Sequence, residues 1–507
     1  MAEPRRFLVA SAVTCLALAG ALIGKPGMAN PQMAPGQLGG SLPTTVSVSS
    51  QALSSSWFCA GATQYPGGVA GGELLFTNAG SRTVSGSVEL VTQRGSRRTV
   101  AITVPPASAT TLPESLPGLP GSPSDHWVGA IVVLYGGMAS VSQVLGTARG
   151  SADQPCASAA AHQWFFPDGA TLRNAWDEIS LLNPYPVPAV ADLSFTTEQG
   201  REVPLDFQGL VVPPRGLTVV DLGSHLRRRQ HIATTVTART GQIVAFQTQI
   251  VTAPPAGAPP RGTPGALNPV MPVAGVTVAL GSPRTSTSLW WPSGGEGPGM
   301  TESYAVYNPG AGSASLSLEL FSAGAHSTHS FVVGPYGSAF VTTNDASWAL
   351  LGEGYSARLE SLDGVGVVAE RFVMSAPPSL GRGLGLIEGQ QAAANEWLLA
   401  QGATGLSLTG RERTVFPESQ LQVLNPGPAT TTVSVEAATG GRLAPLTGAT
   451  KLQIAAGARA EVELSSGLSG EALLVTSSSP VLLEQDWYSS LRSVGTNLAP
   501  AVAVTSP

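Results

Sequence analysis

The feature that most restricts this chain is a fourfold internal repeat of one order of landmarks. Each copy has an opening tryptophan, an apolar strand ending in asparagine, a corner, and a last strand carrying one polar residue. The landmarks are Trp57, Asn78, Pro105-Pro106 and Gln143 in the first copy, and Trp164, Asn183, Pro213-Pro214 and Gln247 in the second. They continue as Trp290-Trp291, Asn308, Gly334-Pro335 and Glu370, then as Trp397, Asn425, Ala455-Ala456 and Glu484. The interval from the asparagine to the last polar residue stays near about sixty residues, and the period is roughly 105 to 125 residues, the length of whole domains in tandem.

Within a copy the hydrophobic period is two. Ala189 to Phe195, Glu202 to Phe207, Leu217 to Leu222 and Ile232 to Ala238 all alternate, as half-buried strands do. Six or seven short strands per copy leave an apolar face that only a second sheet can cover. The expectation is an all-β chain of four tandem immunoglobulin-like β-sandwich modules after an N-terminal signal or anchor helix. A four-bladed propeller is the alternative, set aside because seven strands exceed one blade. The boundaries read as 1–29 signal peptide or membrane anchor, 30–50 linker, 51–160 sandwich 1, 161–253 sandwich 2, 254–275 Pro-rich linker, 276–380 sandwich 3 and 381–507 sandwich 4. Val276 to Leu280 and Leu384 to Ile387 read as strands leading into the third and fourth modules. The fourth departs from the pattern, with an insertion around Arg411 to Pro417.

The N-terminus carries Arg5-Arg6, an apolar run from Phe7 to Gly24 and a small-residue site ending at Ala29. That is the order of an export signal, cleaved or retained as an anchor. Export also explains the cysteines. Beyond that segment only Cys59 and Cys156 remain, and a bridge between them would close the first module end to end. Charged residues are only 11% of the chain and the net charge is -6, with no basic stripe for phosphate backbones, so nucleic acid is excluded as a partner. The expected location is extracytoplasmic, secreted or held to the plasma membrane by the N-terminal segment alone.

The repeated residues have structural readings first. Asn-Pro ends a strand, and the asparagine side chain bonds nearby backbone. The opening tryptophan plugs a core. Trp290-Trp291 is the exception, because neighbours in a strand face opposite ways and one indole must leave its own core. Trp291 and Tyr336 are therefore the candidate ligand-stacking aromatics. No catalytic motif is present, and His326 and His329 point to opposite faces of a strand, which excludes a shared metal. Two polar sets recur: Glu73, Glu178, Glu302 and Glu418 ahead of the asparagine, and Gln143, Gln247, Glu370 and Glu484 in the last strand. Amides at Gln143 and Gln247 cannot act as general acids or bases. No catalytic residue, cofactor or metal is expected.

With its export signal, early Trp57-Phe58-Cys59, Asn-Pro strand ends, the Pro213-Pro214-Arg215-Gly216 corner and the run Val367 to Arg371, the chain resembles an actinobacterial family of exported or membrane-anchored proteins of unknown function, DUF5719. The resemblance covers most of the mature chain and implies no activity or functional residues. The expected function is that of a non-catalytic cell-envelope protein, a binding or scaffolding protein whose partner is another envelope protein or a surface glycan. The alternative is a carbohydrate-binding accessory or divergent hydrolase acting on wall polysaccharide, with Glu370, Glu484 and Trp487 as the residues to inspect.

Overall fold

The period-two alternation becomes strand in every copy, except that Glu202 to Phe207 leaves its strand after Glu202 and forms a 3-10 turn over Leu205–Phe207. In the computed structural model, the second copy runs through eight principal strands, first Gln163–Phe166, second Ala175–Asn183, third Ala189–Thr197, fourth Leu210–Val212, fifth Gly216–Asp221, sixth Ile232–Thr240, seventh Val244–Val251 and eighth Gly275–Leu280, with a short extra strand, Gly200–Glu202, on the end of the third. They form two sheets. One has the order first-sixth-third-fourth and the other fifth-second-seventh-eighth. The first and third copies repeat this pairing strand for strand, and the fourth does so with its sixth and seventh strands fused into Ala472–Tyr488. The structure describes residues 46–505, apart from 64–69, 116–118, 120–125, 148–149, 296–298, 323–324, 344–346, 351–353, 376–382, 401–417, 465–470 and 489–495. The signal or anchor, most of the 30–50 linker and the Arg411–Pro417 insertion lie outside the described residues. No helix among the described residues is long and apolar enough to cross a membrane.

The chain is all-β, but its repeats are not tandem immunoglobulin-like modules. They take a four-blade, propeller-like arrangement. The eighth strands touch in cyclic order, first copy to second, second to third, third to fourth and fourth back to first. Each therefore forms the innermost strand of a four-stranded blade, with the seventh, second and fifth strands outside it. The other sheet of each copy fills the space before the next blade, its first strand packing on the next copy's inner sheet. The strands exceed one blade only when counted as one sheet, and in the second and third copies they divide between two, while in the first a single pairing of Thr63 with Gly71 joins the two.

Crowding at the axis explains the opening residue of the eighth strands, Gly150, Gly275 and Gly383 in three copies. A Cβ at Gly150 would lie 3.3 Å from Gly275 Cα, and one at Gly275 would lie 2.8 Å from Leu384 Cγ. Glycine permits that approach because it has no side chain to displace.

Module boundaries move accordingly. Gly275–Leu280 pairs with Val244–Val251 and closes the second copy instead of leading into the third, and Gly383–Glu388 closes the third in the same way. The Pro-rich stretch 254–275 is an internal excursion between the second copy's seventh and eighth strands. It is no spacer: Met271 is fully buried, Asn174 holds the backbone of Thr252 and Met271, and Met271 and Val273 share a cluster with Phe372 and Leu384 of the third copy.

The asparagine is one device used four times. Asn78, Asn183, Asn308 and Asn425 are all fully buried. Each side-chain amide donates to the carbonyl four residues on and to a carbonyl of the corner strand, and each side-chain oxygen accepts from the amide two residues on. One side chain thus satisfies several buried backbone groups at once. The corner it holds carries a left-handed residue in every copy, at Ala107, Arg215, Tyr336 and Gly457.

The ring closes by a zipper. Ser47–Ser49 pairs in parallel with Val502–Thr505, which pairs in turn with the fourth copy's first strand, Ala394–Ala400. In the first copy Cys59 and Cys156 form a disulfide across 97 residues. It ties the first strand to the segment after the eighth, where the second copy has hydrogen bonds between Phe165 and Ser282 and the third has them between Trp290 and Gln390.

Candidate functional site at the seam between the second and third repeats

The sequence-derived candidates separate once they are placed. Trp291 is fully buried in the third copy's core, its indole donating to the Ile387 carbonyl and meeting Tyr304 edge-on at 5.0 Å, so no ligand can stack on it. Pairing with the sixth strand explains the error. Trp57, Trp164 and Trp397 oppose Val132, Val236 and Val475, but the residue at that register in the third copy is Leu289, opposite Leu359. Trp291 lies two residues further on, on the same core face. Trp290 is the indole that leaves the core; Arg358 stacks on it at 5.2 Å.

Tyr336 is at a seam. In three copies the corner residue reaches toward the copy before it: Ala107 packs with Ala438 and Ala472, Arg215 pairs with Glu89, and Tyr336 carries the Arg201 guanidinium 4.2 Å above its ring. The Tyr336 carbonyl accepts from Thr196 Oγ1 at 2.6 Å.

Beside Tyr336 lies a cavity of about 460 Å³ lined by both copies, including Asp168, Thr197, Arg201 and His231 of the second and Tyr336, Ser338 and Phe340 of the third. Asp168 sits in the loop after the first strand and is buried. It pairs with Arg261, which comes from the Pro-rich excursion, and His231 Nδ1 lies 3.2 Å from one of its oxygens and 2.5 Å from Arg261 Nη2. Phe340 covers both partners, with its ring centroid 4.5 Å from that of His231 and 4.8 Å from the Arg261 guanidinium carbon. Burial alone would raise the Asp168 carboxyl, but Arg261 and then His231 outweigh it and hold the group below its ordinary value. Deeper in the seam, burial pushes Asp177 up to about 8 although Gln247 donates to both its oxygens, and burial together with Asp168 raises Glu370 well above the carboxylate range. An ionised Asp168 held by Arg261 and His231 therefore lies among acids that keep their protons.

The second polar set does not form one site. Gln143 donates to Glu114, Gln247 to Asp177, Glu370 lies near Asp168, and Glu484 pairs with Arg371 at 2.6 Å. Glu370 and Glu484 therefore serve different seams, and the side chains of Trp487 and Glu418 lie outside the described residues. Of the remaining carboxylates ahead of the asparagine, Glu73 and Glu178 are half-buried and Glu302 is buried with Tyr304 and Tyr355 donating to it. His326 pairs with Glu319 while His329 stacks on Trp348, and no cluster of three metal-ligating side chains exists among the described residues. Sequence reasoning missed Asp168, Arg201, His231, Arg261 and Phe340. The one available signal was Asp168 directly after the quoted Trp164–Pro167 motif. Arg261 was hidden in a stretch whose prolines imitate a spacer.

Residues 129–263 match the model of a family described as a family of unknown function (DUF5719), the family whose resemblance the sequence motifs carry. That span contains Asp168, Arg201, His231 and Arg261. No curated protein matches the chain. Among solved structures, Thermotoga maritima 1070 is 18% identical over 21% of this chain and 94% of that chain, with a TM-score of 0.19. A Streptomyces avermitilis alpha-L-rhamnosidase complexed with L-rhamnose is 10% identical over 71% of this chain and 45% of its own, TM-score 0.13. A glycoside hydrolase family 32 protein from Bifidobacterium adolescentis is 9% identical over 86% and 99%, TM-score 0.14. Likeness at those scores says nothing about the chemistry of this chain.

Proposed function

We infer that this chain, matched over residues 129–263 by a family of unknown function, is a non-catalytic extracytoplasmic protein of the cell envelope whose ring of repeats serves binding or scaffolding. The observation that carries the reading is the fate of the repeated polar position: Gln143, Gln247, Glu370 and Glu484 are all buried, Gln143 and Gln247 bonding Glu114 and Asp177 of their own repeats, Glu370 bordering Asp168 and Glu484 pairing Arg371 of the repeat before. Polar groups there specify how the blades assemble. The Cys59–Cys156 disulfide supports an oxidising compartment. Divergent hydrolysis needed Glu370 and Glu484 in one concave site, and they lie in two seams. The carbohydrate-binding reading is favoured by one observation, the cavity beside Tyr336.

The test is a wall-polysaccharide pulldown with the purified chain from Asn30 onward, together with crosslinking in intact cells. Tyr336→Ala is the variant to compare, since truncating buried Trp291 would test packing instead. Specific retention or a discrete crosslinked partner is the expected result. Turnover of a wall polysaccharide, abolished by Glu370→Gln in a chain that still folds, would overturn the non-catalytic reading.

A further inference from the structure

We propose that the cavity between the second and third repeats binds a neutral oligosaccharide, with His231 as its polar anchor and Tyr336 and Phe340 as its apolar walls. The proposal rests on the binding-protein reading above and names the ligand class.

Three features of the cavity converge on that class. Its volume of about 460 Å³ lies within the range of ligand pockets, roughly 300–1,000 Å³, and is large enough for more than a single small ion. Its buried charge is already compensated, since Asp168 is held by Arg261 and His231. The remaining charged lining residues, Glu198 and Arg201, are exposed and opposite in sign. Nothing there recruits an anion or a cation, which separates this cavity from a phosphate or uronate site.

The third feature is the arrangement of the polar atoms. With Nδ1 facing both Asp168 Oδ1 and Arg261 Nη2, the His231 ring is fixed in orientation, and Nε2 has no partner among the described residues. Whichever of these two neighbours Nδ1 bonds, the other ring nitrogen is left to meet a sugar hydroxyl, which both donates and accepts. Ser338 is exposed at the same cavity, and its hydroxyl can donate or accept. A sugar presents this combination: hydroxyls that both donate and accept, and C–H faces that pack on aromatic rings. Arg201 covers Tyr336 from an exposed position, so it can swing aside or bond the sugar's hydroxyls without uncovering a core.

The experiment measures equilibrium binding of neutral hexose and N-acetylhexosamine oligosaccharides, and of uronic-acid oligomers, to the disulfide-intact chain. Tyr336→Ala, His231→Gln and the remote Arg239→Ala are compared after thermal melting confirms that each folds. The expected result is binding of a neutral oligosaccharide, at least tenfold weaker in the first two variants and unchanged in Arg239→Ala, with uronic-acid oligomers not bound. Preference for the acidic oligomers, or neutral binding indifferent to both His231 and Tyr336, overturns the assignment. Binding of no glycan while a protein partner is crosslinked in cells overturns this proposal alone. Absence of both overturns the binding-protein reading as well.

Discussion

The seam between the second and third repeats and the seam between the third and fourth are built from the same positions, yet one is open and the other sealed. In the sealed seam Arg371 pairs with Glu484 at 2.6 Å and with Glu302 at 3.7 Å, and also donates to the Ser293 carbonyl. Ser293 bonds Glu484 and Asp486, while Tyr304 and Tyr355 donate to Glu302. Every one of these residues is buried. In the open seam the corresponding loop carries Asp168, whose partners border a cavity. Side chains of the same chemistry thus serve packing at one seam and face a ligand-sized space at the other. The difference is made by what the preceding repeat presents to them, which no single repeat encodes.

The largest effect should come from the sealed seam. Replacing Arg371 with Met strands two buried carboxylates and is expected to cost about 3–5 kcal/mol in denaturant unfolding. Asp168→Asn is expected to cost less, about 1–3 kcal/mol, because its partners border a cavity instead of a closed core. If the two variants ranked the other way, the contrast between the seams would fail.

Next in size is a pH effect that the open seam should show. Asp177 titrates near its ordinary 3.8 when unfolded and at about 8 when folded. Below that window both states hold the proton, and within it only the folded state does, so stability falls as pH rises from about 4 to 8 and levels off beyond. Asp168 has the opposite sign. Its folded value is depressed, so its contribution is present above pH 4 and lost only below it. Unfolding free energies between pH 4 and 9 should slope downward, and Asp177→Asn should flatten that slope; an unchanged slope would show that the seam admits water freely.

The smallest effect belongs to the corners. Tyr336 and Gly457 are equivalent left-handed positions, with φ of 50° and 66°. Tyr336→Gly is expected to change stability by no more than about 1 kcal/mol, because relief of backbone strain offsets the lost Arg201 contact. Gly457→Ala should destabilise by about 1 kcal/mol, having only strain to add. Thermal melting of the pair measures both.

Much of the fold was legible because it is local. Alternation gave strands, the asparagines gave clamped corners, and two cysteines gave the disulfide between Cys59 and Cys156. Ring closure was not, because it depends on which edge the eighth strand joins, and Gly275–Leu280 reads equally well as the end of one repeat or the start of the next. Its glycine, needed for close approach at the axis, was the missed clue. Of the candidate site, sequence reading reached Tyr336 alone and left unused the position of Asp168 directly after Trp164 to Pro167. Asp168, His231 and Arg261 lie up to 93 residues apart, and their meeting is fixed by a loop that folds back onto the third repeat.

The parallel zipper of Ser47–Ser49 on Val502–Thr505 also has a mechanical meaning. Tension that draws the chain outward through Ser47 and Thr505 runs along both strands in opposite directions, so it loads their shared hydrogen bonds together in shear instead of peeling them one by one. The joint that closes the ring is therefore placed where a pulled chain would resist most, and single-molecule stretching through the two ends should meet its first barrier there.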